Sequence, residues 1–203
     1  MTKTSIPWLD SPTDFPSTDH ALQYPPGLLA ASLVINADWL EASYARGIFP
    51  WYSQGEPVLW WSTSPRAVLY TDEFKLHRSL VKAVRKFNKN PDRVIRLNTA
   101  FEEVMRACAA PRPGQEGTWI SEEVLAAYTE LHRRGLAHSV EHWDGDQLVG
   151  GLYCVALGKM VYGEWCTVDA DSEQLSKGTP WACTAGSSRP ARGLFRGAPK
   201  GVK

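Results

Sequence analysis

Three segments rich in strand-forming residues follow one another in the sequence, separated only by turn signals. They read AHSVEHW at 137–143, DQLVGGLYCVALG at 146–158 and KMVYGEW at 159–165. The stretches DGD at 144–146 and Gly158-Lys159 favour tight hairpin turns, and connections this short join only antiparallel strands. The helical segments precede the strands in the chain. We therefore predict an antiparallel meander against which those helices pack, which is an α+β fold.

Apolar periodicity and capping residues predict four helices before these three strands. They lie at 37–47, 75–89, 98–110 and 121–135. The third helix has Asn98 or Thr99 as its predicted N-cap, and the fourth has Ser121. A strand is predicted at 66–71. Residues 1–26 are rich in Pro, Ser, Thr and Asp, and the composition favours extended coil.

The helix predicted at 75–89 carries an unusual charge pattern. Its apolar residues and its basic residues follow the spacing of two opposite faces; the first set is Leu76, Leu80, Val84 and Phe87, and the second is Arg78, Lys82, Arg85 and Lys89. Between Lys75 and Arg96 there are eight basic residues and one acidic residue, Asp92. A solvent-exposed helix face normally carries both positive and negative side chains. The basic row is therefore either ordinary surface or a site for a polyanion.

A punctuated aromatic loop spans residues 46–62, RGIFPWYSQGEPVLWWS. Its aromatic residues are Phe49, Trp51, Tyr52, Trp60 and Trp61. Prolines and glycines within it exclude one regular helix or strand. For Trp60 and Trp61, packing inside the fold is the preferred interpretation, because large indoles are usually buried.

Composition limits the possible partners. The chain has 203 residues with equal numbers of basic and acidic side chains, but Gly178–Lys203 holds five basic residues and no acidic one. The rest therefore carries a net charge of −5, which argues against general nucleic-acid binding and requires any polyanion site to be local. After about Trp165 periodicity ends and Gly, Pro, Ser and Ala dominate, which predicts disorder.

The cysteines and the apolar segments indicate the cellular compartment of the protein. The four cysteines, Cys108, Cys154, Cys166 and Cys183, show no C-x-x-C spacing. We interpret them as reduced thiols of a cytoplasmic protein, and we expect no metal site. No apolar run approaches the roughly 20 residues of a membrane span, and the first residues lack the pattern of a signal peptide. No membrane partner is expected.

Seven segments, in order along the chain, share their residues with one known family. They are PPGLLAA (25–31), SYARGIFPWYS (43–53), LWWSTSPRAVL (59–69), GTWI (117–120), AYTELHRRGLAHSVEHW (127–143), LVGGLYCVALG (148–158) and YGE (162–164). Together they resemble the bacterial leucyl/phenylalanyl-tRNA–protein transferases, from about Pro25 to Glu164.

The resemblance implies an architecture and an activity. It implies a small N-terminal α/β part at 1–72 and a GNAT-like acyltransferase domain at 73–166, which is incomplete here; the tail at 167–203 is expected to be disordered from its composition. Such enzymes move leucine or phenylalanine from leucyl-tRNA or phenylalanyl-tRNA to the N-terminal Arg or Lys of acceptor proteins, which creates an N-end rule degradation signal. We expect a cytoplasmic monomer without cofactor or metal.

The resemblance also assigns roles to residues at matching positions. Trp51 and Trp119 are expected to line the site for the aminoacyl-adenosine end of tRNA, with the hydroxyl of Tyr128 toward the adenosine. Leu152, Val161 and Cys166 are candidates for the apolar pocket. Glu164 is the catalytic candidate, by attracting the acceptor's basic N-terminus and orienting or deprotonating its α-amine. The row Arg78, Lys82, Arg85 and Lys89 is expected to bind phosphates of the acceptor stem.

Two departures from the family pattern leave alternatives open. SLVI at 32–35 replaces the family's Gly-Gly-Asp-Leu, and beyond Glu164 the helix and the Asp-Cys-Gln motif have no counterpart. The second break is the pattern expected of a reading-frame change or a truncated product. The alternatives are therefore an inactive tRNA-binding remnant of the family and, less favoured, a CoA-dependent GNAT acetyltransferase. For the latter, HRRGLA at 132–137 is a poor match to the pyrophosphate loop.

Overall fold

The computed structural model describes residues 6–110, 118–168 and 195–196, and for 165–168 and 195–196 it describes the backbone alone. The helices in this part of the chain are α1 (Ala37–Tyr44), α2 (Arg78–Phe87), α3 (Phe101–Ala109) and α4 (Glu122–Arg133). The strands are β1 (Trp8–Leu9), β2 (Leu28–Ser32), β3 (Phe49–Pro50), β4 (Val58–Trp61), β5 (Leu69–Tyr70), β6 (Arg93–Leu97), β7 (Ala137–Asp144), β8 (Gln147–Leu157), β9 (Met160–Val168) and β10 (Phe195–Arg196). The predicted α+β class is confirmed.

The chain divides into two compact units. The first comprises the described parts of Met1–Pro65 and Ala109–Leu136, and the second those of Arg66–Cys108 and Ala137–Lys203. Residues 109–136, which the sequence-based boundaries place in the second domain, thus group with the first unit. The boundaries at residues 72 and 166 stay a prediction.

The first unit is built on a mixed sheet with strand order β1-β2-β4-β3. Trp60 is fully buried, stacks on Trp39 at a ring-centroid distance of 5.7 Å and meets the edge of Phe15 at 5.0 Å. Its indole N–H donates to Ser32 Oγ at 2.9 Å, so the ring is buried with its donor satisfied. The prediction that Trp60 packs inside the fold is confirmed. The coil prediction for residues 1–26 is wrong in part, because β1 joins the sheet and Phe15 completes its core.

Two helices pack together within this unit. The α4 helix begins at Ser121, whose Oγ accepts from the backbone N–H of Val124 at 3.3 Å, which confirms the predicted cap. Just past the end of α4, Arg134 donates to the carboxylates of Asp38 at 2.7 Å and Glu41 at 3.3 Å on α1. One guanidinium therefore ties the end of α4 to α1.

The second unit is built on a sheet with order β5-β10-β9-β8-β7-β6, in which β6 to β9 run antiparallel. The predicted meander is confirmed, with Gly145 and Gly158 at positive φ in its turns. Most of the predicted tail at 167–203 lies outside the described residues. Where the structure describes it, the chain is strand: β9 continues to Val168, and β10 pairs with β9 and β5.

The N-terminus of α3 is held by a buried carboxylate from the sheet. Glu141 on β7 is fully buried and accepts from the backbone N–H groups of Thr99 at 2.8 Å and Ala100 at 2.9 Å. Its oxygens also accept from the hydroxyls of Thr99 and Ser139 and from the indole N–H of Trp143. The predicted cap at Asn98 or Thr99 is therefore wrong: the capping group comes from a neighbouring strand, where it also suits the positive end of the helix dipole.

The helices α2 and α3 lie on opposite faces of this sheet. Phe101 on α3 contacts Tyr153, whereas Phe87 on α2 contacts His142 at a centroid distance of 5.0 Å. The predicted helix at 75–89 is confirmed in its centre, but it begins only at Arg78. No residue of α2 is buried, and Val84 is 45% exposed. The spacing indicated an apolar face correctly, but a sequence pattern does not show that a neighbouring element covers that face.

Close packing of α3 on β8 gives a first prediction. A Cβ at Gly151 would lie 2.9 Å from Val104 Cγ2, whereas a Cβ at Gly163 on the same sheet meets nothing within 4 Å. We expect Gly151→Ala to destabilise the protein by about 1–3 kcal/mol through overpacking. Thermal unfolding should show a lower midpoint for Gly151→Ala and little change for Gly163→Ala. Equal midpoints for the two variants would argue against this packing of α3.

Candidate functional site

An exposed indole, Trp51, is held by its backbone at the end of β3. Its N–H donates to the carbonyl of Leu59 at 3.0 Å, and its carbonyl accepts from Trp61 Nε1 at 2.6 Å. The two indole rings lie 5.7 Å apart at 54°. Trp51 itself is 59% exposed. The aromatic loop therefore offers a fixed, open π surface to solvent. Trp61, which the sequence analysis assigned to internal packing, supports it.

The other aromatic candidates of the first unit form a chain of ring contacts. Tyr52 meets Trp119 at 6.5 Å, and Trp119 meets Tyr128 at 6.4 Å, both close to edge-on. Tyr128 is fully buried, and its hydroxyl shares a hydrogen bond of 2.7 Å with that of Tyr44. In this structure the Tyr128 hydroxyl thus faces Tyr44, and its role toward an adenosine stays a prediction. Sequence analysis gave no role to Tyr44, which lies in the helix predicted at 37–47.

In the second unit, Glu164 lies in a β-bulge. Tyr153 on β8 pairs with Trp165 and the next residue, Cys154, pairs with Gly163, so Glu164 is the extra residue of β9. Bulges redirect a side chain and are common beside active sites. Glu164 is half-buried. Burial and then the Glu164 charge raise the pKa of the Cys154 thiol to about 11, so this thiol stays protonated at neutral pH.

A cation lies close to the same bulge. The Arg66 guanidinium is 5.7 Å from the ring centroid of Tyr162, two residues before Glu164. Burial raises the pKa of the Tyr162 hydroxyl, Arg66 lowers it and Glu164 raises it again. The catalytic candidate therefore shares its surroundings with a buried phenol and a positive charge. The sequence analysis missed Arg66, whose only signal was its place in the motif LWWSTSPRAVL.

The pocket candidates lie along β8 and β9. Leu152 and Cys166 are register partners, and Val161 pairs with Ala156 further along. Leu152 and Val161 are half-buried. The side chain of Cys166 is outside the described part. The structure thus brings two of the three candidates into register but does not assign them to a pocket.

The predicted basic row is exposed; three of its residues lie on α2, and the fourth, Lys89, lies two residues past the end of the helix. The four side chains Arg78, Lys82, Arg85 and Lys89 are all solvent-accessible, and in the part of the chain that the structure describes none of them forms an ion pair. Three basic residues on one face of α2, with Lys89 just past its end, form a positively charged surface suited to phosphates.

Two negative findings concern metals and membranes. Among the described residues, no group of three or more His, Cys, Asp and Glu side chains could hold a metal ion. In the same residues, no helix has the length and apolar character needed to cross a membrane.

Comparison with known proteins gives the family. The family model of the leucyl/phenylalanyl-tRNA protein transferase matches residues 68–173, more than half of the chain, and the model of the N-terminal domain of the same proteins matches residues 34–64. The chain belongs to the leucyl/phenylalanyl-tRNA–protein transferase family. The match ends at residue 173 and so runs past Glu164, where the motif comparison placed the end of the resemblance.

Individual relatives agree. The leucyl/phenylalanyl-tRNA–protein transferase of Albidiferax ferrireducens is 53% identical over 163 residues, which is 78% of this chain and 64% of the relative. That of Ralstonia pickettii is 54% identical, over 78% of this chain and 66% of the relative. That of Chromobacterium violaceum is 52% identical over the same shares. The chain thus spans just under two thirds of the length of these curated relatives.

Proposed function

We propose that this chain binds aminoacyl-tRNA and transfers leucine or phenylalanine to the N-terminal Arg or Lys of acceptor proteins, marking them for degradation. The observation that carries the proposal is the match to both family models, over residues 34–64 and 68–173. Aminoacyl-tRNA is a cytoplasmic substrate, so we place the reaction in the cytoplasm, with the chain acting as a monomer.

The chemistry asked of the protein is the aminolysis of an ester. The acceptor's α-amine attacks the ester carbonyl, the new C–N bond forms, and the C–O bond to the terminal ribose breaks. The ammonium gives up a proton before attack, and the ribose oxygen leaves as a hydroxyl after taking one. The ester is already activated, so aligned substrates and a proton acceptor supply what the step needs.

The first unit would bind the nucleotide end of the substrate. Trp51 presents a 59% exposed indole on a fixed backbone, which suits stacking on the terminal adenine. Such stacking contributes ~1–3 kcal/mol per base. Trp119 and Tyr128 continue the aromatic surface through their ring contact at 6.4 Å.

The second unit would supply the chemistry, as a partial GNAT-like transferase domain. Its support is the antiparallel order of β6 to β9 and the bulge that sets Glu164 apart from the regular pairing. Glu164 would attract the cationic N-terminus of the acceptor and orient or deprotonate its amine. Leu152 and Val161 would contribute to the apolar pocket for leucine or phenylalanine.

The basic face of α2 supports tRNA binding and gives a second prediction. The double variant Arg78→Glu/Lys82→Glu is expected to weaken tRNA binding about tenfold or more. Losing two phosphate contacts should also reduce the slope of log K against log salt by roughly two. The measurement is a titration of labelled tRNA at several salt concentrations.

A matched control separates this face from net charge. The pair Arg133→Glu/Lys159→Glu changes the charge equally at exposed positions outside α2. We expect the tRNA affinity and salt slope of this control to stay near those of the unaltered chain. Equal losses in both double variants would mean that total charge, and not the α2 face, governs binding.

A second candidate function is binding of charged tRNA without transfer. It is favoured by one observation: after Glu164 the sequence reads WCTVDADSEQ, where the resemblance leads us to expect a helix and an Asp-Cys-Gln motif. Aminoacyl-tRNA binding and amino-acid transfer, measured on the same preparation, separate the two candidates. Binding with transfer supports the first, and binding alone supports the second.

A further inference from the structure

We propose that Trp61 is a positioning residue that holds Trp51 in its receptive orientation before any ligand arrives. The inference rests on the proposed function, in which the exposed Trp51 indole stacks on the adenosine end of charged tRNA. Trp61 itself need not touch that ligand. Its contribution is to fix the residue that does.

The backbone of Trp51 is bonded on both sides. Its N–H donates to the Leu59 carbonyl at 3.0 Å, which extends the pairing of β3 with β4 by one residue. Its carbonyl has left the regular ladder and accepts from the indole N–H of Trp61 at 2.6 Å. The loop therefore cannot turn about Trp51 without breaking a hydrogen bond. A water molecule could replace the Trp61 donor, but it would not fix the carbonyl in one direction.

Trp61 is itself anchored to rigid structure. It lies on β4 and is in register with Phe49 of β3 on one side and Leu28 of β2 on the other. A residue on the central one of three paired strands moves little. The hydrogen bond from its indole N–H to the Trp51 carbonyl therefore restricts the motion of the loop. Trp51, which follows the last residue of β3, is thus held by a hydrogen bond although it lies outside the strand.

The ring contact leaves Trp51 open to a ligand. The Trp61 ring supports Trp51 from one side at a centroid distance of 5.7 Å and a tilt of 54°. Trp51 nevertheless remains 59% exposed. An unsupported surface indole would have to be ordered when a base stacks on it, and this loss of side-chain freedom would weaken binding. A supported indole has lost that freedom beforehand.

The test is a double-mutant cycle on ligand binding. The probe is 3′-leucylamino-3′-deoxyadenosine, an amide mimic of the aminoacyl end that cannot be hydrolysed, and its Kd is measured by calorimetry. We expect Trp61→Phe, which removes the N–H donor but keeps an aromatic ring, to weaken binding about fivefold. In a Trp51→Ala background the same substitution should have no further effect. Trp8→Phe, at another exposed indole of the unit, is the control and should leave Kd unchanged.

The outcomes separate the inference from the proposed function. If Trp51→Ala leaves Kd unchanged, stacking on Trp51 is wrong and the proposed function loses this support. If Trp51→Ala weakens binding while Trp61→Phe does not, or if their effects simply add, only the positioning role is overturned. Hydrogen exchange of the Trp61 indole N–H in the unaltered, ligand-free chain needs no variant. Slow exchange supports the inference, and exchange as fast as that of Trp8 overturns it.

Discussion

Replacing Glu141 by alanine is expected to destabilise the protein by about 3–4 kcal/mol, a large effect for one side chain. The carboxylate is fully buried and accepts from both backbone and side-chain donors around the start of α3, including Thr99 N–H at 2.8 Å and Ser139 Oγ at 2.7 Å. Its removal leaves several buried donors without an acceptor. Glu141→Gln keeps the shape but turns an NH₂ group toward donors, so we expect a loss of about 2 kcal/mol. Chemical denaturation measures both values.

The same residue makes stability depend on pH. Burial disfavours the charged form, but the hydrogen bonds from Thr99, Ser139, Ala100 and Trp143 outweigh it and hold the pKa of Glu141 below its ordinary value. The stabilisation is therefore fully present above the unfolded pKa of about 4.3 and is lost as pH falls through the lower folded value. Unfolding free energies measured between neutral and acid pH should show this loss in the unaltered chain and much less of it in Glu141→Gln.

Glu103→Gln is the control for both measurements. Glu103 lies on the exposed side of α3, and its replacement should change stability by less than about 0.5 kcal/mol. If Glu141→Gln behaves like Glu103→Gln at every pH, the buried network does not hold the helix, and the account of α3 is wrong.

Glu164→Gln is expected to lower kcat/KM for acceptors that begin with Arg by about 10²-fold. The amide keeps the volume of the side chain but carries no charge to attract the acceptor's cation, and it cannot take its proton. A rise in KM alone would identify attraction as the role, whereas a fall in kcat with a changed pH profile would identify proton transfer. The same variant should weaken binding of a peptide that begins with Arg, which can be measured without turnover.

Two further variants serve as controls for this prediction. Glu164→Asp keeps the charge and should recover part of the peptide affinity. Asp146→Asn removes an exposed carboxylate from the β7–β8 turn of the same unit and should change neither affinity nor kcat/KM. Unchanged peptide binding by Glu164→Gln would remove Glu164 from the proposed site.

The sequence predicted the features that local patterns control. The meander followed from three successive segments rich in strand-forming residues and from the turn signals at 144–146 and 158–159, and α4 followed from its periodicity and the cap at Ser121. Trp60 was predicted to pack inside the fold because large indole side chains are usually buried. Each of these depends on residues close together in the chain.

The features that sequence analysis missed depend on residues far apart in the chain. The cap of α3 comes from Glu141, more than forty residues beyond Thr99, and no helix-capping rule looks that far. The bulge at Glu164 is a property of the pairing between β8 and β9, and the support of Trp51 by Trp61 depends on where β3 ends. For α2, periodicity predicted the helix, but whether its apolar face is covered is a question of tertiary structure.

The most direct test of the account is transfer of labelled leucine from leucyl-tRNA to a protein that begins with Arg. The account predicts that the label becomes linked to the N-terminus of that protein and not to the same protein beginning with Asp. Absence of label on both, with a folded chain and intact leucyl-tRNA, would contradict the proposed transfer.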